Sequence, residues 1–132
     1  IKVAYGLELE MKQSDIEFHG HVIECRINAE DPKTSMPSPG LITHYHRPGG
    51  IGVRVDDFIY TGYNVSPHYD SMISKLIVYA DDREKCIART LRALDETVIG
   101  GLKTNIELHK EILTDKSFRA NSYNTNFLAE KC

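Results

Sequence analysis

The sequence has no tryptophan and only three cysteines, at positions 25, 86 and 132, with no CxxC pair among them. An odd number without metal-ligand spacing suggests neither a disulfide framework nor a zinc site, and a reducing compartment fits best. Long apolar runs are also missing. The longest, such as LIVYA at 76–80, falls far below the roughly 20 residues that a membrane-spanning helix needs. There is no excess of positive charge: the net charge is −3, and no window interleaves lysine and arginine with aromatics, so nucleic acid is not an expected partner. What is present, 41% hydrophobic residues in a chain of 132, suits one domain with a modest core. No signal peptide opens the chain and no Met initiates it. It starts mid-pattern with IKVAYGLEL, as a piece of a longer protein would.

Two hydrophobic periods divide the sequence. IKVAYGL at 1–7 fits the end of a helix stopped at Gly6. HVIECRINAED at 21–31 alternates, which predicts a strand with Ile23, Cys25, Ile27 and Ala29 on the core face and Glu24, Arg26 and Asn28 on the other. DPKTSMPSPG, with three prolines and a glycine, is a loop. Strand signals follow in LITHYH (41–46), IGVRVDDFIY (51–60) and MISKLIVYA (72–80), the last apolar on both faces and therefore expected at a central, covered position. Connections this short call for a mainly antiparallel sheet. From residue 81 the period becomes helical. DDREKCIARTLRALDETVIG carries Ile87, Leu91, Leu94 and Val98 on one stripe, and NIELHKEILTD carries Ile106, Leu108, Ile112 and Leu113, with Asn105 as candidate N-cap. FLAEK at 127–131 is a third, shorter helix candidate. Strands in the first two thirds and two to three helices in the last third predict an α+β fold.

Few residues suggest chemistry by pattern alone. PGGIGVR at 48–54 lacks GK[ST] and leads into a strand, so it reads as a turn between strands and not as a phosphate loop. His44 and His46 share a strand face, as do His19 and His21, but no acid or cysteine completes a ligand set, and no metal site is expected. No nucleophile elbow frames a serine. Arg26 offers an invariantly charged fork of donors that suits an acceptor gaining negative charge; pattern alone favours an exposed arginine pairing with Glu24 or Glu30. Asp70 lies just before the last strand, where a helix-like or turn cap by Asp70 or Ser71 is the plain reading, and Arg54 reads as half of a local ion pair with the VDD that follows.

The linear text goes further. GHVIECRINAEDP, PSPG, PGGIGVR, YDSMISKLIVYA and GLKTNIELHKEIL, in this order, resemble the C-terminal domain of biotin carboxylase, the ATP-dependent component of acetyl-CoA, propionyl-CoA and pyruvate carboxylases. The resemblance runs over essentially the whole chain. It implies a domain that works beside an N-terminal α/β domain and an ATP-grasp domain. ATP and bicarbonate there give carboxyphosphate, and N1′ of biotin is carboxylated. ATP and magnesium would be bound by the ATP-grasp domain, which this sequence lacks, so the fragment alone is expected to be inactive and to expose an apolar patch near Ile1 to Leu9.

By the same resemblance, Arg26 matches the active-site arginine that stabilises the enolate of the biotin ureido oxygen near bicarbonate, with Glu24 and Asp70 in its vicinity. Arg54 and position 51 match subunit-interface residues of the bacterial dimer; Ile51 stands where those subunits carry an aromatic, and buries less area. The implied partners are a biotin carboxyl carrier protein or domain, a carboxyltransferase and a second copy of the chain. The implied setting is bacterial cytoplasm or a mitochondrion. The alternative reading is a non-catalytic docking or dimerisation module of such a carboxylase.

Overall fold

Alternation in 21–28 produces the predicted strand. β1 (His21–Asn28) buries Cys25 and Ile27 and leaves Val22, Glu24 and Arg26 exposed. A computed structural model describes residues 1–129 and places β1 in a three-stranded antiparallel sheet of order β1-β6-β4, with β4 at Val53–Asp57 and β6 at Met72–Ala80. The long apolar run of β6 does take the central position. Only one of its faces is covered along its length, however: Ser74, Leu76, Val78 and Ala80 are buried, whereas on the other face Ile73 alone is buried, Lys75 and Ile77 are half-buried and Tyr79 is exposed. The reason lies in the layering, because helix α1 (Arg83–Glu96) packs on one side of the sheet and, among the described residues, no helix or strand packs on the other.

The stretch LITHYH forms two strands where one was expected. β2 (Gly40–Leu41) pairs with β5 (Asn64–Val65), and β3 (His44–His46) pairs with β7 (Val98–Gly100). The break falls at Ile42, which is fully buried and exchanges backbone hydrogen bonds with Gly62 and Tyr63. Two different partners pull the halves into two small sheets.

α1 begins where Asp82 accepts a hydrogen bond from the Lys85 amide at 2.8 Å, a side-chain N-cap. Its buried stripe is Cys86, Ile87, Thr90, Ala93 and Leu94. The helix ends at Glu96, and the expected helical Val98 lies instead in β7, because Thr97 turns extended (φ −72°, ψ 122°) and the β-branched Val98 and Ile99 pair with β3. α2 (Ile106–Thr114) follows as predicted, burying Ile106 and Leu113, and α3 (Lys116–Arg119) is capped by the Asp115 side chain. The third helix therefore lies earlier than expected. Residues 127–129 of the candidate FLAEK form a turn, and the rest of that candidate lies outside the described residues.

At the start, Val3–Tyr5 make a single 3-10 turn that Gly6 closes in a left-handed conformation (φ 77°). Ile1, Val3, Tyr5, Leu7 and Leu9 are all exposed. The core joins β1, β6 and α1 through Ile27, Ile73, Leu76, Val78, Ile87 and Leu94. Cys25 and Cys86 are part of it as free thiols, and burial pushes the Cys25 thiol up to about 12, leaving it an unreactive packing group.

Candidate functional site

The uncovered sheet face carries three of the sequence-predicted site residues, Glu24, Arg26 and Arg54, while Ile51 and Asp70 lie on the turns that flank it. Glu24 and Arg26 project from β1 and meet as an ion pair, with Arg26 Nε 3.5 Å from Glu24 Oε1. The guanidinium remains 71% exposed, so most of its five donors face solvent. In register across the sheet, Arg26 stands opposite Lys75 and Lys75 opposite Asp56, while Glu24 stands opposite Ile77 and Ile77 opposite Arg54. Arg54 grips Asp56 with both prongs, at 2.8 and 2.9 Å, and this fork holds the Asp56 carboxyl below its usual range. Lys75 lies 3.9 Å from the same carboxylate. Arg26 and Lys75 are therefore neighbouring cations, flanked by an acid on each outer strand.

Next to this row is a shallow apolar depression of about 270 Å³, lined by Val22, Gly52, Val53, Arg54, Ile77 and Tyr79. Ile51 rises beside it on the turn that joins β3 to β4 and is 93% exposed. That turn is built from glycines, as PGG suggested. Gly52 has φ +75°, and a Cβ there would lie 2.5 Å from the Tyr79 carbonyl oxygen. From α1, Arg89 donates to that same carbonyl and Arg92 donates to Gly49 O at 2.9 Å.

Asp70 is not joined to Arg26. Its Oδ1 accepts the Met72 amide at 2.8 Å at the start of β6, the local cap anticipated from the sequence. Beside it, Ser71 donates to Glu30, whose carboxylate also accepts Asn28 Nδ2 at 3.1 Å. Asp70 thus shares the Asn28 end of the row.

Two residues of the site escaped the sequence reading. Asn105 stands at the N-terminus of α2 as predicted, but its side chain does not cap that helix. It reaches β1, where Oδ1 accepts the Asn28 amide at 2.8 Å and Nδ2 donates to Arg26 O at 3.1 Å. His109, one helical turn on, brings Nε2 to 2.8 Å from the same Arg26 oxygen, and burial lowers its pKa from the ordinary imidazole value. No periodicity signals such contacts, because they join positions 77 to 83 residues apart.

The described residues contain no group of three His, Cys, Asp or Glu side chains suited to a metal. The glycine turn leads into a strand. The exposed Arg26 fork suits an oxygen that gains negative charge.

These features define an α+β domain with a packed sheet face on one side and a charged, uncovered face on the other. Residues 24–130 match the biotin carboxylase C-terminal domain, and the chain belongs to that family. It is 55% identical to biotin carboxylase of Haemophilus influenzae over 131 residues, which cover 99% of this chain and 29% of that protein. Among solved structures, the biotin carboxylase of Campylobacter jejuni, in its β,γ-ATP complex, superposes with a TM-score of 0.88 at 49% identity over 98% of this chain and 29% of that one. The biotin carboxylase domain dimer of Hydrogenobacter thermophilus 2-oxoglutarate carboxylase, in complex with MgADP, ADP and bicarbonate, gives a TM-score of 0.89 at 46% identity over 98% and 29% of the two chains. The chain thus spans less than a third of the relatives it matches.

Proposed function

We propose that this chain is the part of an ATP-dependent biotin carboxylase that closes one side of the biotin pocket, and that Arg26 supplies its charge to the reaction. The observation that carries this reading is the exposed guanidinium of Arg26 on the uncovered face, its backbone fixed from α2 and its side chain held at one edge by Glu24. When biotin is presented on its carrier protein or domain, its ureido group supplies the nitrogen that accepts the carboxyl group from bicarbonate. Arg26 would donate hydrogen bonds to the oxygen on which charge develops. A fixed cation there needs no proton transfer and little reorganisation. Glu24 would keep the fork turned along the face, and Asp70 would order the chain at the Asn28 end. ATP and magnesium would be held by an ATP-grasp domain outside these residues, so residues 1–132 alone are expected to be inactive. A carboxyltransferase would take the product onward. The relatives named above are bacterial, which favours bacterial cytoplasm over a mitochondrion.

The test is biotin carboxylation by the full-length protein with Arg26, Arg26→Lys and Arg26→Ala. Loss of about a hundredfold or more in the Ala variant, with ATP binding and fold retained, supports the reading. Unchanged turnover rejects it.

A second reading, a dimerisation module, draws on the apolar depression beside Arg54 and on the nearly fully exposed Ile51. The dimer named for the Hydrogenobacter domain supports it. The two readings are compatible, and Arg26→Ala separates them, since docking alone would leave carboxylation intact.

A further inference from the structure

β1 is an edge strand of the three-stranded sheet. Along such a strand the peptide groups alternate: Ile23, Cys25 and Ile27 point toward β6, whereas Arg26 and Asn28 point away from it. Among the described residues, no strand pairs with that outer edge at Arg26 and Asn28. The ladder is weakest there as well, because the register with β6 shifts between Ile27 and Asn28. Left alone, this would be the least fixed part of β1, and it is the part that carries Arg26.

α2 takes the place of the missing strand. The Asn105 carboxamide acts as one peptide of an absent neighbour, accepting from Asn28 N at 2.8 Å and donating to Arg26 O at 3.1 Å. The Asn105 amide donates to Asn28 O at 3.2 Å. His109 Nε2 lies 2.8 Å from Arg26 O, and since a carbonyl can only accept, the ring holds its proton on Nε2. Four hydrogen bonds thus fall on two residues of β1. Asn105 is buried, a placement that costs stability unless both ends of its amide are bonded, and both ends are bonded to β1. The helix gives up its own side-chain cap for this contact.

We propose that Asn105 and His109 are positioning residues for Arg26, clamping the peptide at the β1 bulge so that the guanidinium is aimed from a fixed backbone. The inference rests on the reading of Arg26 as the site arginine. A long side chain amplifies a backbone displacement, and misplacement by about 1 Å can cost on the order of a hundredfold in rate. The clamp needs no contact with the ligand.

The experiment uses the full-length carboxylase and five variants: Arg26→Ala, His109→Leu, His109→Gln, Asn105→Ala and Leu113→Ala. Leu113 is buried in the same helix and makes no bond to β1, so it controls for general loosening of α2. The readouts are kcat and KM for biotin carboxylation, Tm, and amide hydrogen exchange at Asn28. We expect His109→Leu and Asn105→Ala to lower kcat by about tenfold or more and to speed exchange at Asn28, with KM for ATP unchanged. Gln can donate to Arg26 O as the imidazole does, so His109→Gln should restore kcat to within about threefold of the parent. Leu113→Ala should lower Tm at least as far while sparing kcat. If the two α2 variants lose no more activity than Leu113→Ala does, the clamp is structural and the inference is overturned. If either fails to fold, the Gln variant and the other α2 variant decide the matter. A fully active Arg26→Ala would instead reject the site reading, a result distinct from an inactive Arg26→Ala beside fully active α2 variants.

Discussion

Arg26 of β1 and Lys75 of β6 stand directly opposite each other on the uncovered sheet face, two cations in register on adjacent strands. Like charges so placed repel, and Glu24 and Asp56 on either side offset the repulsion only in part, at 3.5 Å from Arg26 and 3.9 Å from Lys75. A fold selected for stability alone would not favour this pair. It makes the position a candidate for an anionic group brought from outside the chain.

The first prediction is that stability and activity separate at Arg26. Its side chain is mostly exposed and its ion pair is loose, so Arg26→Ala should change unfolding free energy by no more than about 0.5 kcal/mol while carboxylation by the full-length protein collapses. Urea titration and turnover measured on one preparation check this. A parallel loss of several kcal/mol would mean that Arg26 is structural.

Lys75→Met should relieve the repulsion and leave the fold unchanged or slightly more stable. If the paired cations receive an anionic group, the same change should raise KM for bicarbonate or for the biotin substrate. Steady-state kinetics in both substrates would show it.

The turn carrying Ile51 gives a prediction about assembly. Ile51→Asp or Arg54→Glu should weaken self-association of the full-length protein, and Ile51→Phe should strengthen it by adding buried area to the interface. Sedimentation velocity over a concentration series is the measurement. Identical profiles for all variants would place any dimer contact elsewhere.

Much of the architecture could be read from the sequence because its signals are local. The alternation of β1, the apolar run of β6 and the stripe of α1 each follow from spacing within one segment. The main failures are tertiary, the misplaced third helix aside. LITHYH has strand character throughout, and only its separate pairing with β5 and β7 divides it. Val98 fits either a helical stripe or a strand, and pairing with β3 decides. Asn105 has the right chemistry for a cap, yet the bond partners that occupy it come from β1. For the site, the sequence placed Glu24, Arg26 and Asn28 on one face, but the opposition of Lys75 to Arg26 depends on strand register, which no single strand contains.

Gly52→Ala should be among the more damaging single changes on the surface. The residue has φ +75°, and an added Cβ would meet the Tyr79 carbonyl oxygen at 2.5 Å, where the backbone is already committed by the Tyr79 N–H to Gly52 O bond at 2.8 Å. Strain of about 1–3 kcal/mol from the dihedral alone, with the collision added, should lower Tm clearly. Gly49, which has no atom within 4 Å of its Cβ position, should accept alanine with little change.

The last prediction concerns acid. Burial lowers the His109 pKa from its ordinary value of 6.5, with the hydrogen bond to Arg26 O opposing the shift but not reversing it. The folded chain therefore takes up a proton at His109 less readily than the unfolded chain. Between the lowered folded value and 6.5 the unfolded state holds the additional proton, so falling pH favours unfolding. This contribution is complete above about pH 6.5 and diminishes as acid is added. Asp31, which its hydrogen bond from Lys103 holds at about 2, loses its own contribution only at far lower pH and does not confuse the window. Thermal unfolding of the chain between neutral and mildly acidic pH should accordingly show a fall in Tm that His109→Gln reduces, since glutamine keeps a donor near Arg26 O and cannot titrate. An equal acid slope in the parent and in His109→Gln would show that the imidazole is as free to protonate in the fold as in the unfolded chain, and that its seat against β1 is more open than its burial implies.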